Sequence, residues 1–256
     1  MYSSANDLFY TVMPEPSQQS KRFGLARVLS KMGLASRTEA ARQIEAGMVQ
    51  VNGKIIRNPE YPVRMDLDSV HIRRTEVQAS KFTVLMLNKP RGTVTTRSDE
   101  KQRPTVYGCL PENMPWLAPV GRLDMASEGL LLFCNDPKWA AGLTDPETGP
   151  DKTYHVQIDT LPDSDLLMAL RTGIETDVGF LSVKRIAVLR QGNRNAWLEI
   201  VLDEGRNRHI RRLLRAFDIN VLRLIRTAIG GLQLGDLPKG RCRELTAAER
   251  ALIDDA

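Results

Sequence analysis

The chain has 256 residues, 42% of them hydrophobic, which suits one medium domain plus a small one, or two of middling size. Its 36 Lys and Arg against 31 Asp and Glu leave a net charge of +5, a modest excess that hints at a polyanionic partner. Three scattered cysteines (Cys109, Cys134, Cys242) and three histidines (His71, His155, His209) indicate neither a disulfide framework nor a metal centre, and no apolar run reaches membrane-span length.

Residues 1–20 are rich in Ser, Pro and Gln and read as a disordered tail. They lack a basic start followed by an apolar run, so no secretory signal is read and the cytoplasm is the expected location. A distinct block follows over residues 21–57, within a first module bounded at 21–77. Leu25, Val28, Leu29 and Met32 keep helical spacing. Ser36 and Glu39 form a capping box, which predicts a second helix to about Ala46, with Gly47 placed to stop it. Residues 48–56 alternate around Asn52-Gly53, a hairpin signal. Lys21, Arg22, Arg27, Lys31, Arg37, Arg42, Lys54 and Arg57 face only Glu39 and Glu45 in this stretch. A solvated face mixes signs, so this lopsided one reads as a surface for phosphates. Phe23 is its one aromatic residue, which favours shape and phosphate recognition of a folded RNA over base stacking.

A polar linker is expected near residues 73–80, and a second domain over 78–256. That domain opens with a strand at Phe82–Leu87 and a turn at Asn88-Lys89-Pro90-Arg91-Gly92. The run Gly129–Cys134 predicts a strand buried on both faces. Further strands are expected at 154–158, 181–189, 196–202 and 221–226, and helices at 166–170, 207–217 and 247–253. Thr246 and Glu249 make a second capping box for the last helix. The fold class expected is α/β or α+β, with a mixed sheet behind a small helix-helix-hairpin module. No apolar stripe is left over for an interface, so a monomer is expected.

Three stretches compete for chemistry: Arg122 and Asp124 before the buried strand, Lys152-Thr153-Tyr154, and the five arginines between 206 and 215. Taken singly each has an ordinary explanation. Asp124 suits a turn, Tyr154 a packed strand, and Ile210, Leu213, Leu214 and Phe217 one face of an amphipathic helix. Several arginines at a helix start beside a glycine turn nonetheless suit phosphate, since local acids are few.

Block 21–57, through Arg27–Arg37 and Val49-Gln50-Val51-Asn52-Gly53-Lys54, resembles the S-four-like RNA-binding module. GRLDMASEGLLLFCND, NKPRG, KTY and the stretch from Glu204 to Thr246 together resemble the RsuA-type branch of the pseudouridine synthases of ribosomal RNA. The resemblance implies isomerisation of a uridine in ribosomal RNA or a pre-ribosomal particle, with no cofactor and no metal. It implies Asp124 as the catalytic carboxylate, Arg122 near the target base, Tyr154 stacked on the uracil, Arg211 paired with the aspartate and Ile210 as an apolar wall. Arg27, Lys31, Arg37, Arg42, Lys54, Lys89, Arg206 and Arg208 are expected to contact RNA. Ala126-Ser127 stands where the family commonly has Thr or Ser, with Ser127 supplying the hydroxyl, and His209 stands where glutamine is frequent. Residues 139–151 look closer to a large-subunit branch. A non-catalytic ribosome-assembly factor on the same fold, and a synthase acting on transfer RNA, are the alternatives.

Overall fold

The computed structural model describes residues 22–32, 34–35, 37–72, 82–111, 114 and 116–254. The expected tail, Ser36 of the first capping box and the linker at 73–80 lie outside the described residues. The chain divides into two compact units, the second made of residues 83–134 and 139–256.

The first unit runs β1 (Arg22–Gly24), α1 (Leu25–Lys31), α2 (Arg37–Glu45), β2 (Val49–Val51), β3 (Lys54–Ile56), β4 (Pro62–Arg64) and β5 (Val70–Ile72). The predicted hairpin is present as β2 and β3. Asn52 (φ 50°) and Gly53 (φ 77°) both adopt the left-handed conformation that a tight two-residue turn requires. Asn52 also stitches the module together: its amide donates to Asp68, and its carbonyl accepts from the Ser69 N–H, each at 2.9 Å. The helices and the three-stranded sheet β3-β2-β5 enclose Leu25, Val28, Leu29, Ile44 and Val49, all fully buried, and each such side chain contributes about 1.5–3 kcal/mol.

The second unit contains β6 (Val84–Lys89), a 3₁₀ turn (Val106–Cys109), β7 (Ala118–Val120), β8 (Glu128–Cys134), α3 (Pro137–Thr144), β9 (Lys152–Ile158), α4 (Ser164–Thr172), β10 (Ile174–Thr176), β11 (Gly179–Leu181), β12 (Arg185–Gln191), β13 (Ala196–Leu202), α5 (His209–Arg215), β14 (Val221–Ile229), β15 (Leu232–Gln233), β16 (Cys242–Glu244) and α6 (Ala247–Asp254). Its main sheet has the order β12-β13-β9-β14-β8-β6-β16, with β7 on β8 and β15 on β14. The β14–β8 pairing is parallel and the other pairings in this sheet are antiparallel, so the sheet is mixed as expected.

Every residue of β8 is buried. Leu131 and Phe133 enter one hydrophobic cluster, and Leu130, Leu132 and Cys134 enter another, because successive side chains alternate between faces. Gly129 (φ +100°) lets β8 and β14 close: a Cβ there would lie 2.2 Å from the Arg226 carbonyl. At α6 the capping box is reciprocal, with Thr246 N–H donating to the Glu249 carboxylate and Glu249 N–H to the Thr246 hydroxyl.

Two expectations fail. The single strand at 181–189 is broken into β11 and β12, and β11 instead pairs with β10 as a separate hairpin. The intervening Ser182 carbonyl accepts from His209 at 2.8 Å, and Lys184 N–H donates to Val201, so this stretch is fastened across the fold. The helix expected from residue 207 starts at His209, because Arg208 takes a left-handed conformation (φ 56°) at its N-cap.

Candidate active site

Asp124 lies on the loop Gly121–Ser127 between β7 and β8. A loop beside a buried strand leaves its carbonyls short of partners unless other groups supply them. Here five consecutive carbonyls are met. Leu123 O accepts from the Thr95 hydroxyl (2.8 Å), Asp124 O from Ser127 N–H (2.9 Å), Met125 O from Gly92 N–H (2.7 Å), Ala126 O from Arg211 Nη2 (3.2 Å) and Ser127 O from Lys89 Nζ (2.8 Å). The aspartate therefore stands on a backbone with little freedom to turn.

One Asp124 carboxylate oxygen lies 3.6 Å from Arg208 Nη1 and 3.9 Å from Arg211 Nε. Arg211 is half-buried on the first turn of α5, with its two terminal nitrogens on the carbonyls of Val221 and Ala126. Burial pulls its guanidinium below the usual arginine value and Asp124 pushes it back up. The carboxylate, Arg122, Tyr154, Ile210 and Arg211 all line one cavity of about 190 Å³. Tyr154 stands on β9, beside Ile200 of β13 and Arg226 of β14 in register, and is 8% exposed. The five residues that sequence reasoning grouped for substrate are thus brought together from three segments of the chain: the 121–127 loop, β9 and α5.

Four of the seven buried side-chain atoms without a hydrogen-bond partner among the described residues belong to this cavity's walls: Ser127 Oγ, His209 Nδ1, Arg211 Nε and Arg226 Nη2. Buried polar atoms are otherwise nearly always paired. Two of the four face carboxylates, His209 Nδ1 at 3.5 Å from Glu204 and Arg211 Nε at 3.9 Å from Asp124. His209 donates through Nε2 to Ser182, and burial lowers its pKa against the opposing pull of Glu204, 3.5 Å from Nδ1.

Lys89 is a correction. Expected at the RNA surface, it is fully buried, and its ammonium donates to the carbonyls of Pro90 (3.1 Å) and Ser127 (2.8 Å). Burial brings its pKa down to about 8, against the opposing pull of Asp124. It ends the fully buried strand β6 and fastens the aspartate loop through the Ser127 carbonyl. Arg206 and Arg208 are exposed but already engaged: Arg206 on Glu204 and the Phe180 carbonyl, each at 2.8 Å, and Arg208 on Asp124. Arg27, Lys31, Arg37, Arg42 and Lys54 are exposed in the first unit, Arg27 and Lys31 lying over the Phe23 ring at 5.2 and 4.0 Å.

Sequence reasoning gave Lys152 no role of its own within the Lys152-Thr153-Tyr154 stretch and missed Arg226; both are buried cations in the cavity wall. Their positions inside the alternating strands β9 and β14, on inward-facing sites, were the available signal. A broader cleft of about 770 Å³ adjoins the cavity, sharing Gly121–Asp124, Gly205, Arg206 and Arg208 and walled otherwise by Met125, Asn207 and residues between Val94 and Arg103.

Residues 83–216 match the RNA pseudouridylate synthase family, and residues 23–68 match the S4 domain. An RNA pseudouridine synthase of Rickettsia bellii is 36% identical over 222 residues, covering 87% of this chain and 96% of its own. The ribosomal large subunit pseudouridine synthase B of Bacillus subtilis is 32% identical over 237 residues, covering 90% of this chain and 96% of its own. The protein of the same name from Haemophilus influenzae is 36% identical over 239 residues, covering 90% and 67%. The crystal structure of a pseudouridylate synthase superposes with a TM-score of 0.64 at 25% identity, covering 91% of this chain and all of that one. The chain belongs to the RNA pseudouridylate synthase family, and it is an isomerase of that class.

Proposed function

We propose that this protein isomerises a uridine of large-subunit ribosomal RNA to pseudouridine, with Asp124 as the reacting carboxylate. The observation that carries the reading is the carboxylate flanked by Arg208 and Arg211 in a cavity that also holds Tyr154 and Ile210. The large-subunit choice rests on the names of the Bacillus and Haemophilus relatives.

In the reaction the bond from uracil N1 to ribose C1′ breaks, the base turns, and C5 bonds to C1′. C5 loses a proton and N1 gains one, so the formula is unchanged and no co-reactant is consumed. An ionised carboxylate serves either as nucleophile toward C1′ or as base toward a sugar proton. Arg211 orients it and offsets the cost of its partial burial. The base leaves its stack at a cost of a few kcal/mol, and stacking on Tyr154 recovers about 1–3 kcal/mol. Ile210 closes the apolar side. Arg122, exposed at the mouth, meets the RNA beside the flipped nucleotide. The exposed cations of residues 22–57 hold the surrounding RNA by its phosphates. Such a substrate places the protein with the ribosomes, in the cytoplasm.

The test is pseudouridine mapping in ribosomal RNA from a strain lacking this gene, complemented with the wild type or with Asp124→Asn. One large-subunit uridine is expected to be modified with the wild type and unmodified with the variant. Modification that persists with Asp124→Asn, or that is confined to transfer RNA, refutes the reading.

A further inference from the structure

Among the groups that hold the aspartate loop, one side chain meets both backbone polar atoms of a single loop residue. The Thr95 hydroxyl donates to Leu123 O at 2.8 Å and accepts from Leu123 N–H at 3.3 Å. Leu123 immediately precedes Asp124. Its carbonyl belongs to the peptide plane that leads into the Asp124 Cα, so fixing that plane fixes the direction in which the carboxylate leaves the backbone.

The base on which Thr95 stands is itself stiff. Val94 N–H donates to Pro104 O (2.9 Å), and Val106 N–H to Val94 O (3.0 Å). Further along, the Asp99 carboxylate accepts from the Lys101 and Arg103 N–H groups and from the Arg103 side chain. This same segment walls the broader cleft that adjoins the catalytic cavity.

We propose that Thr95 is a positioning residue for the reaction: its hydroxyl locks the Leu123 peptide so that the Asp124 carboxylate stays beside Arg208 and Arg211 and over the cavity. The proposal rests on Asp124 being the reacting group. Valine keeps the shape of threonine and removes the hydroxyl, so Thr95→Val releases both bonds with little change in packing. A misplacement of about 1 Å at a reacting group costs on the order of 10²-fold in rate. Serine retains the hydroxyl and can remake both bonds.

The experiment uses the full chain and a transcript containing the uridine found by the mapping above. Single-turnover rate and RNA dissociation constant are measured for wild type, Thr95→Val and Thr95→Ser. The expected result is a roughly 10²-fold slower rate for Thr95→Val, a dissociation constant within about twofold of wild type, and a Thr95→Ser rate close to wild type. Should Thr95→Val not fold, Thr95→Cys takes its place, because a thiol is a poor donor and acceptor near the hydroxyl's position; the expected order is then wild type, Ser, Cys. The proposal falls if the hydroxyl-free variant turns over at the wild-type rate, if its loss lies in RNA binding alone, or if Thr95→Ser is as slow as Thr95→Val. A wild type that makes no pseudouridine overturns the reading of the whole site. An active wild type matched by Thr95→Val overturns the role of Thr95 alone.

Discussion

The cations of the first unit and those around Asp124 are the same two residue types put to opposite uses. Arg27, Lys31, Arg37, Arg42 and Lys54 are exposed, with Glu39 near Arg42 as the partner acid, 3.9 Å away. Around the cavity, Lys89, Lys152 and Arg226 are buried and Arg211 half-buried; the Lys89 ammonium and the two terminal nitrogens of Arg211 are spent on backbone carbonyls, and Arg226 Nε on that of Leu130. An exposed cation gains affinity for RNA by releasing counterions, in a manner that salt weakens. A buried one bonded to carbonyls fixes a backbone, and bulk salt screens it little. Composition counts the two sets alike. Burial separates them, and it predicts that substitutions in the first set change binding and in the second change rate and folding.

The largest break in that comparison comes from Asp124, the carboxylate beside Arg208 and Arg211. Asp124→Asn keeps the loop's carbonyl bonds, so the variant is expected to fold and to bind RNA as the wild type does. It is expected to form no detectable pseudouridine, measured by tritium release or by mapping. Arg211→Met comes next. It strands the carbonyls of Ala126 and Val221 and removes the cation 3.9 Å from the carboxylate. A rate loss of roughly 10²-fold or more is expected, typical of losing one preorganised electrostatic partner. The salt dependence of RNA binding should stay at its wild-type slope. A slope shallower by about one unit would instead place Arg211 on a phosphate and break the division between the two sets.

Lys89 tests the interior set by pH. Its folded value of about 8 lies below the ordinary 10.5. Between those values the unfolded chain holds the proton and the folded chain has released it, so stability rises with pH across that window. Below about pH 8 both states are charged, and the cost of burying the ammonium is present in full. Relative to Lys89→Met, the wild type is therefore expected to gain about 3 kcal/mol between pH 8 and 10.5, by denaturant melts at each pH. Parallel pH curves for the two proteins would mean that the ammonium is hydrated after all and belongs with the exposed set.

What was legible in the sequence follows the range of the interactions. Asn52-Gly53, the Thr246–Glu249 capping box and the apolar run of β8 are local signals, and each appears where expected. Asp124, Tyr154, Ile210 and Arg211 were found because family motifs carry them, and the cavity gathers them. The links that hold the site were not legible. Thr95 reaches Leu123 across 28 residues, Lys89 reaches Ser127 across 38, and Arg211 reaches Ala126 across 85. No periodicity records such pairings. Lys89 misled because a lysine before Pro90-Arg91-Gly92 reads as an exposed turn, whereas it closes a strand buried at every position. The β10–β11 hairpin was missed because residues 181–189 read as one strand, although Ser182, Lys184 and Arg185 interrupt its apolar residues where the structure breaks and fastens Ser182 and Lys184 to distant partners.

The smallest expected effect sharpens the comparison from the exposed side. Arg37, at the start of α2, makes no ion pair or hydrogen bond among the described residues, and its side chain is exposed. Charge reversal there costs the fold little, because surface pairs contribute about 0–1 kcal/mol and here none is broken. If Arg37 meets a phosphate, Arg37→Glu removes one counterion-releasing contact. The slope of log affinity against log salt then becomes shallower by about 0.7–0.9. The affinity loss is greatest at low salt and fades as salt rises. At saturating RNA the rate should equal that of the wild type, since nothing in the loop around Asp124 has changed. Titrations at several salt concentrations, run beside single-turnover assays, separate the two quantities. A slower rate at saturation with an unchanged slope would mean that Arg37 helps present the uridine to the site, and the separation of binding cations from positioning cations would fail in the first unit.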